Sequence, residues 1–174
     1  MLNNIRNIYR ETRNEIITPT GLTECFWTTK GVRQGCPLSP CLFCIFINDI
    51  EERWERLNIG GSEMGLRKIF CLKFADDIGV IAKTIDGLQD MIKELETYIT
   101  RNRLEINTQK SQIIVFRSGG QLGKQESWTY LGQKLMVVNQ YKCLGYMFSP
   151  KNSPVDQVQL WASKGQSVLN TVGV

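Results

Sequence analysis

The stretch IFCLKFADDIGVIA, Ile69 to Ala82, consists of two short apolar runs meeting at an acidic pair, Asp76 and Asp77. Each run has the length and composition of a strand, and Asp favours turns, so the stretch predicts a hairpin with both carboxylates at its tip. The flanking apolar residues belong to a core, so the acids project toward solvent or a cleft. Adjacent carboxylates repel, and a bound divalent cation relieves that repulsion. Hard cations such as Mg2+ select carboxylate oxygens, and two of them about 3.5–4 Å apart can drive in-line phosphoryl transfer. An Asp-Asp pair taken alone is more often a solvated turn. The setting of aromatic-Ala-Asp-Asp between two apolar strands shifts the balance toward a site.

Working outward, Leu88, Met91, Ile92, Leu95 and Ile99 fall at spacings of three and four and predict an amphipathic helix. A strand over Gln112 to Phe116, a Gly119-Gly120 loop and the strand-like stretches WTYLG and YKCLGYMF follow. Ser153-Pro154 then has the N-cap and first-position proline of a last helix, with Gly165 inside it. On the other side lies the run GVRQGCPLSP, Gly31 to Pro40, a loop by its Gly and Pro content. Its Ser39 and Pro40 predict the cap and first residue of a helix running to about Leu57, with Phe43, Phe46, Ile47, Ile50, Trp54 and Leu57 on one side. Gly31 and Gly35 permit close backbone approach, Gln34 offers a donor and an acceptor, and Arg33 adds charge. Such a loop before a helix can hold a nucleotide or template backbone, and it reads equally as a plain connector. Residues 16–32 predict a hairpin or extended segment around Pro19 and Gly21, and Leu2, Ile5, Ile8 and Tyr9 a short opening helix. Strands and helices mix without strict alternation, so the fold class is α+β, with no linker dividing two complete domains.

Composition narrows the chemistry. The 174 residues include 21 Lys and Arg, 17 Asp and Glu, six Cys and no His. Without histidine there is no Cys2His2 metal site, no Ser-His-Asp or Cys-His system and no His general base. Catalysis would rest on carboxylates, Lys, Cys or Tyr, with a metal ion. No apolar run reaches the roughly 20 residues of a membrane span, and the N-terminus has no separate apolar h-region, so an intracellular chain (nucleus or cytoplasm) is expected. The cysteines are expected as free thiols, with Cys41 and Cys44, at helical spacing inside an apolar run, packed in the protein interior. Charge is uneven: residues 48–100 carry 7 basic and 11 acidic side chains, residues 101–151 carry 8 and 2. An acidic middle beside a basic half suits a cation site next to a phosphate-facing surface, and equally a solvated helix beside a basic one.

Together, GVRQGCPLSP followed by CLFCIFINDI, then LKFADDIGVIA, GLQDMIKELETYITRNRLEINTQKSQIIVF and QYKCLGYMFS, resemble motifs B to E of the reverse transcriptase domain of non-LTR, LINE-type retrotransposons. The resemblance covers nearly the whole chain and is weakest before Trp27 and after Ser153. It implies a partial right-hand polymerase palm over residues 1–150, an antiparallel sheet with packed helices, running into the start of a thumb over 151–174. By the same resemblance Asp76 and Asp77 hold two Mg2+ ions, Mn2+ being the alternative, with Asp76 the more essential. Phe74 stands where the family usually has Tyr. Arg33, Gln34, Gly35, Phe74 and Ala75 make up the implied nucleotide- and template-binding set. Lys110 matches a lysine that assists the departing pyrophosphate, and Leu144-Gly145 resembles the primer grip. Lys110 reads equally as part of a basic surface, and Leu144-Gly145 as a packed turn. The implied partners are an RNA template, a DNA primer and dNTPs, with no membrane.

The family's motif A, which supplies a third metal-binding Asp, has no match here. The 30 residues before Gly31 contain Glu11, Glu15 and Glu24 but no Asp. The expectation is therefore a fragment, without fingers, full thumb or endonuclease domain, inactive alone and prone to aggregate through an open sheet face. Three alternatives stand beside it. One is a non-catalytic nucleic-acid-binding remnant of a retroelement, which the intact FADD turn argues against. The others are a group II intron or telomerase-like enzyme, less in keeping with GVRQGCPLSP, and a plain α+β domain with an acidic turn.

Overall fold

A computed structural model describes residues 2–151 and 153–172. Positions 1, 152, 173 and 174, which fall within the expected segments 1–150 and 151–174, lie outside the described residues. The opening apolar spacing forms α1, Leu2–Arg10. The Thr-rich stretch after it forms two nested ladders: β1, Thr12–Asn14, pairs with β4, Phe26–Thr28, and β2, Ile17–Thr18, pairs with β3, Gly21–Leu22.

The helix expected from Pro40 to Leu57 is two helices, α2, Ser39–Phe46, and α3, Asp49–Leu57. The break falls where apolar sequence gives way to Asn48 and Asp49. There the bonds shorten to three-residue spacing, Asn48 N–H donating to the Ile45 carbonyl and Ile50 N–H to that of Ile47. Ser39 does not cap α2. The cap position is Leu38, without a side-chain hydrogen bond, and Ser39 is buried with its hydroxyl used elsewhere. Of the side expected to be apolar, Ile47, Ile50 and Trp54 are buried, whereas Phe46 and Leu57 are exposed.

Next come two hairpins, β5, Ser62–Met64, with β6, Arg67–Ile69, and β7, Cys71–Phe74, with β8, Asp77–Val80. The second expected helix is α4, Ile85–Arg101, capped by the Thr84 hydroxyl accepting from Gly87 N–H. The strand expected over Gln112 to Phe116 is only β9, Gln112–Ile113, paired in parallel with β12, Met136–Val137. Between them β10, Thr129–Tyr130, turns back as β11, Gln133–Lys134. The hairpin of β13, Tyr141–Cys143, and β14, Tyr146–Phe148, leads to α5, Pro154–Val172, where Ser153 Oγ does accept from Val155 N–H as a cap should. The α+β class holds. Among the described residues the strands form seven two-stranded ladders, not one continuous antiparallel sheet.

The core is built on α4. On one side Met91, Leu95, Tyr98 and Ile99 pack with Ile50 and Trp54 of α3 and with Phe70 and Cys71. On the other, Ile92 packs with Ile113, Trp128 and Tyr130. Each side brings one indole whose N–H donates to a carbonyl of α4, Trp54 to Met91 at 3.2 Å and Trp128 to Ile85 at 3.0 Å. Gly60 sits against the same helix so closely that a Cβ there would fall 1.9 Å from the Met91 sulfur. Arg53 and Glu94 add a half-buried ion pair between α3 and α4.

Removing the more deeply buried indole, that of Trp54, should therefore loosen α3, α4 and everything standing on them. We expect Trp54→Ala to cost about 3–5 kcal/mol, chiefly through the core cavity it opens, read from the shift of the urea unfolding midpoint.

Candidate metal and nucleotide site

Register determines what the β7–β8 hairpin displays. Cys71 pairs with Val80, Leu72 with Gly79, Lys73 with Ile78 and Phe74 with Asp77. Directly opposed residues share a face. Cys71, Lys73, Ile78 and Val80 therefore look inward: Cys71 is in the core, and Ile78 and Val80 pack against it. Burial pushes the Cys71 thiol up to about 12, with the nearby Glu51 carboxylate acting in the same direction. Lys73, on this face, pairs with Glu51 at 2.6 Å and donates to Asn48 Oδ1 at 3.3 Å. Leu72, Phe74, Asp77 and Gly79 look outward, and Leu72 and Phe74 are 65% and 62% exposed.

The tip differs from the expected Asp-Asp turn. Its two central residues are Ala75 and Asp76, while Asp77 is the first residue of β8. Ala75 is held at φ 52°, the left-handed region that costs a residue with a Cβ about 1–2 kcal/mol. The Cys44 thiol of α2 donates to the Ala75 carbonyl at 3.9 Å. The interior packing expected for the cysteine pair applies in part to Cys44 but not to Cys41, which is exposed because α2 turns that side outward. All six cysteines are free thiols.

Both acids are exposed, and among the described residues neither takes a hydrogen bond or an ion pair. Two uncompensated carboxylates are the right kind of donor for a hard divalent cation. Their number is small: among the described residues no group of three or more His, Cys, Asp or Glu gathers as a metal cluster would.

The GVRQGCPLSP loop is a tight turn over Gln34-Gly35, closed by Cys36 N–H donating to the Arg33 carbonyl at 3.4 Å, with Gly35 at φ 79°. Gln34 and Gly35 are exposed and Arg33 half-buried. The Tyr9 hydroxyl reaches from α1 to Cys36 Sγ at 3.0 Å and Ser39 Oγ at 3.1 Å, and Ser39 Oγ donates to the Arg33 carbonyl at 2.6 Å. The Tyr9 contact is the main cause holding the Cys36 thiol below its ordinary value, and the same contact raises the Tyr9 hydroxyl.

The remaining candidates lie on other elements. Lys110 is exposed in a turn where its N–H donates to Asn107 Oδ1 at 3.1 Å, and it makes no hydrogen bond or ion pair with Asp76 or Asp77. Leu144 and Gly145 form the two-residue turn of β13–β14, with φ 49° and 83°. Gln157, buried in the first turn of α5, holds that hairpin by accepting from Met147 N–H at 2.7 Å and donating to the Gly145 carbonyl at 3.4 Å. The Tyr141 hydroxyl of β13 is raised first by burial, then by the charges of Cys143 and Asp77, so the Asp77 carboxylate is within electrostatic reach of this hairpin. Sequence reading missed Tyr9, Ser39 and Gln157 as the groups behind these turns. Tyr9 lies 27 and 30 residues from its partners, a separation no local pattern reports.

A family profile described as "Reverse transcriptase (RNA-dependent DNA polymerase)" matches residues 4–135. The chain is 31% identical over 164 residues to the "Retrovirus-related Pol polyprotein from type-1 retrotransposable element R2" of Nasonia vitripennis, a match over 81% of this chain and 15% of that protein. It is 28% identical over 133 residues to the polyprotein of the same name from Popillia japonica, over 73% of this chain and 22% of that one. The chain thus spans a small part of the curated relatives it matches.

Two expectations follow from the geometry. Ala75→Val puts a β-branched residue at a left-handed position and should destabilise by about 1–3 kcal/mol in thermal unfolding, whereas Ala75→Gly should not destabilise. Tyr9→Phe removes the group that favours the Cys36 thiolate, so the pH midpoint of Cys36 alkylation, followed by peptide mass spectrometry, should move up.

Proposed function

The chain belongs to the reverse transcriptase family, in its non-LTR retrotransposon branch, and we propose that it is the part of an RNA-directed DNA polymerase palm that carries the acidic turn. The carrying observation is that turn: two adjacent, uncompensated carboxylates displayed on the outward side of a hairpin anchored in the core. Residues 1–150 are read as partial palm and 151–174 as the start of a thumb. Asp76 and Asp77 would hold Mg2+ or Mn2+, which when bound lowers the pKa of a primer 3′-hydroxyl and neutralises the dNTP phosphates. The protein's own groups do the rest. Gln34 and Gly35 present a backbone turn and an amide to nucleotide and template, with Phe74 on the same outward face as Asp77. Lys110 supplies a proton or charge toward pyrophosphate, and Leu144-Gly145 abuts the primer. The basic 101–151 stretch meets RNA template and DNA primer phosphates without reading sequence. An intracellular location belongs to the same reading.

Two carboxylates from one turn fill few positions around two ions, so these 174 residues are read as unable to extend a primer unaided. The shortage of donors also supports a second reading, a retroelement remnant that binds nucleic acid without catalysis.

With an RNA template annealed to a DNA primer, dNTPs and MgCl2, the purified chain should bind the duplex with an affinity that falls steeply with salt, and should not extend it. Asp76→Asn and Asp77→Asn should each weaken Mn2+ binding, followed by the paramagnetic resonance of the free ion, by about tenfold, roughly 1.4 kcal/mol. Extension by the unmodified chain would refute the inactivity, absence of duplex binding would refute the polymerase reading, and Mn2+ affinity unchanged in both variants would remove the turn as the metal site.

A further inference from the structure

Arg33 heads the loop that displays Gln34 and Gly35, yet its guanidinium points back into the protein. Nε donates to Thr12 Oγ1 at 2.8 Å and Nη2 to the Glu11 carbonyl at 3.2 Å. Its carbonyl is equally committed, accepting from Cys36 N–H and from Ser39 Oγ. The residue is thus fixed at both ends: the side chain ties the loop to the junction of α1 and β1, and the carbonyl is the closing atom of the Gln34-Gly35 turn. Gly35 stands third in the turn at φ 79°, the position where a type II turn requires positive φ. Tyr9, from the end of α1, holds the far side of the same turn through Ser39 and Cys36.

We infer that Arg33 is a positioning residue, a tether that fixes the orientation of the Gln34-Gly35 tip through Thr12 and Glu11, and not a phosphate contact. What the tip receives rests on the proposed polymerase reading; the tether does not. The chemistry of the pair sets the test. Lysine keeps the charge of arginine but not its planar fork, so a phosphate contact tolerates Arg33→Lys far better than a two-armed tether does. Thr12→Val removes the acceptor and leaves Arg33 intact, and Thr12→Ser keeps the hydroxyl.

Hydrogen exchange of the 31–38 backbone in the whole 174-residue chain reads the tether directly. Arg33→Lys and Thr12→Val should each speed exchange of the Cys36 amide by about tenfold or more, the double variant should be no faster than either, and Thr12→Ser should match the unmodified protein. Exchange outside the loop and around α1 should be unchanged, which separates a freed loop from general unfolding. Duplex binding should fall together in Arg33→Lys and Thr12→Val. The tether is overturned if Thr12→Val leaves loop exchange unchanged. It is also overturned if Arg33→Lys keeps duplex affinity while Arg33→Met loses it with a salt slope lower by about one, the mark of a phosphate contact. Loop exchange that behaves as expected in a chain that binds no duplex would keep the tether and reject the polymerase reading.

Discussion

Everything at the acidic turn depends on one face of a two-stranded hairpin being buried. An isolated hairpin of four-residue strands is marginal in water. β7 and β8 persist because Cys71, Ile78 and Val80 lie against Trp54, Met91 and Tyr98, and because α4 is gripped by an indole from either side. Once that face is inside, the period of two leaves no choice about the other. Phe74 must look outward, Asp77 does so in the register adopted, and Asp76 stands at the tip. The same alternation sends Lys73 inward to Glu51, although it is only four residues from Asp77. The nearest cation in sequence is thereby spent on the core side, and the acids stay uncompensated.

Burying the face does not, however, fix the register. With Ala75-Asp76 at the centre, Cys71 opposes Val80 and Lys73 opposes Ile78. With Asp76-Asp77 at the centre, Lys73 would oppose Val80 and Ala75 would oppose Ile78. Both arrangements put Cys71, Lys73, Ile78 and Val80 on one side, so apolar alternation cannot tell them apart. Turn chemistry alone favours the second, since Asp accepts left-handed backbone more readily than Ala. The structure adopts the first because the ladder is pinned from its buried end. Ile81 N–H donates to the carbonyl of buried Phe70 at 2.8 Å, in step with Phe74 opposite Asp77, and Gly61 N–H holds the Ile81 carbonyl at 3.0 Å. Ala75 takes up the strain.

The parts legible in sequence share a cause. α4 was readable because five apolar positions repeat at helical spacing, and the hairpin because an acidic break divides two apolar runs. The α1 helix, the nested ladders around Pro19 and Gly21 and the capped start of α5 were likewise local. What escaped was set at a distance. Ser39 has the type and place of an N-cap, but Tyr9, 30 residues earlier, and the Arg33 carbonyl take its hydroxyl. Phe46 and Leu57 continue an apolar stripe that the break at Ile47-Asn48 rotates out of the core. The outward direction of the acids was legible; the strained alanine beside them was not.

The three candidate turns follow one construction. Gln34-Gly35, Ala75-Asp76 and Leu144-Gly145 are each a two-residue tip with positive φ, exposed at the end and bonded from behind. The rear bonds come from Ser39 and Cys36 to the Arg33 carbonyl, from Cys44 to the Ala75 carbonyl, and from Gln157 to the Gly145 carbonyl. In each case a side chain from outside the turn, Ser39, Cys44 or Gln157, donates to a turn carbonyl and holds the turn from behind its exposed end. Fixing a short exposed tip in advance lowers the ordering cost of binding. On the proposed reading, tips that meet phosphates and a cation without histidine would need little more than backbone, carboxylate and amide held still.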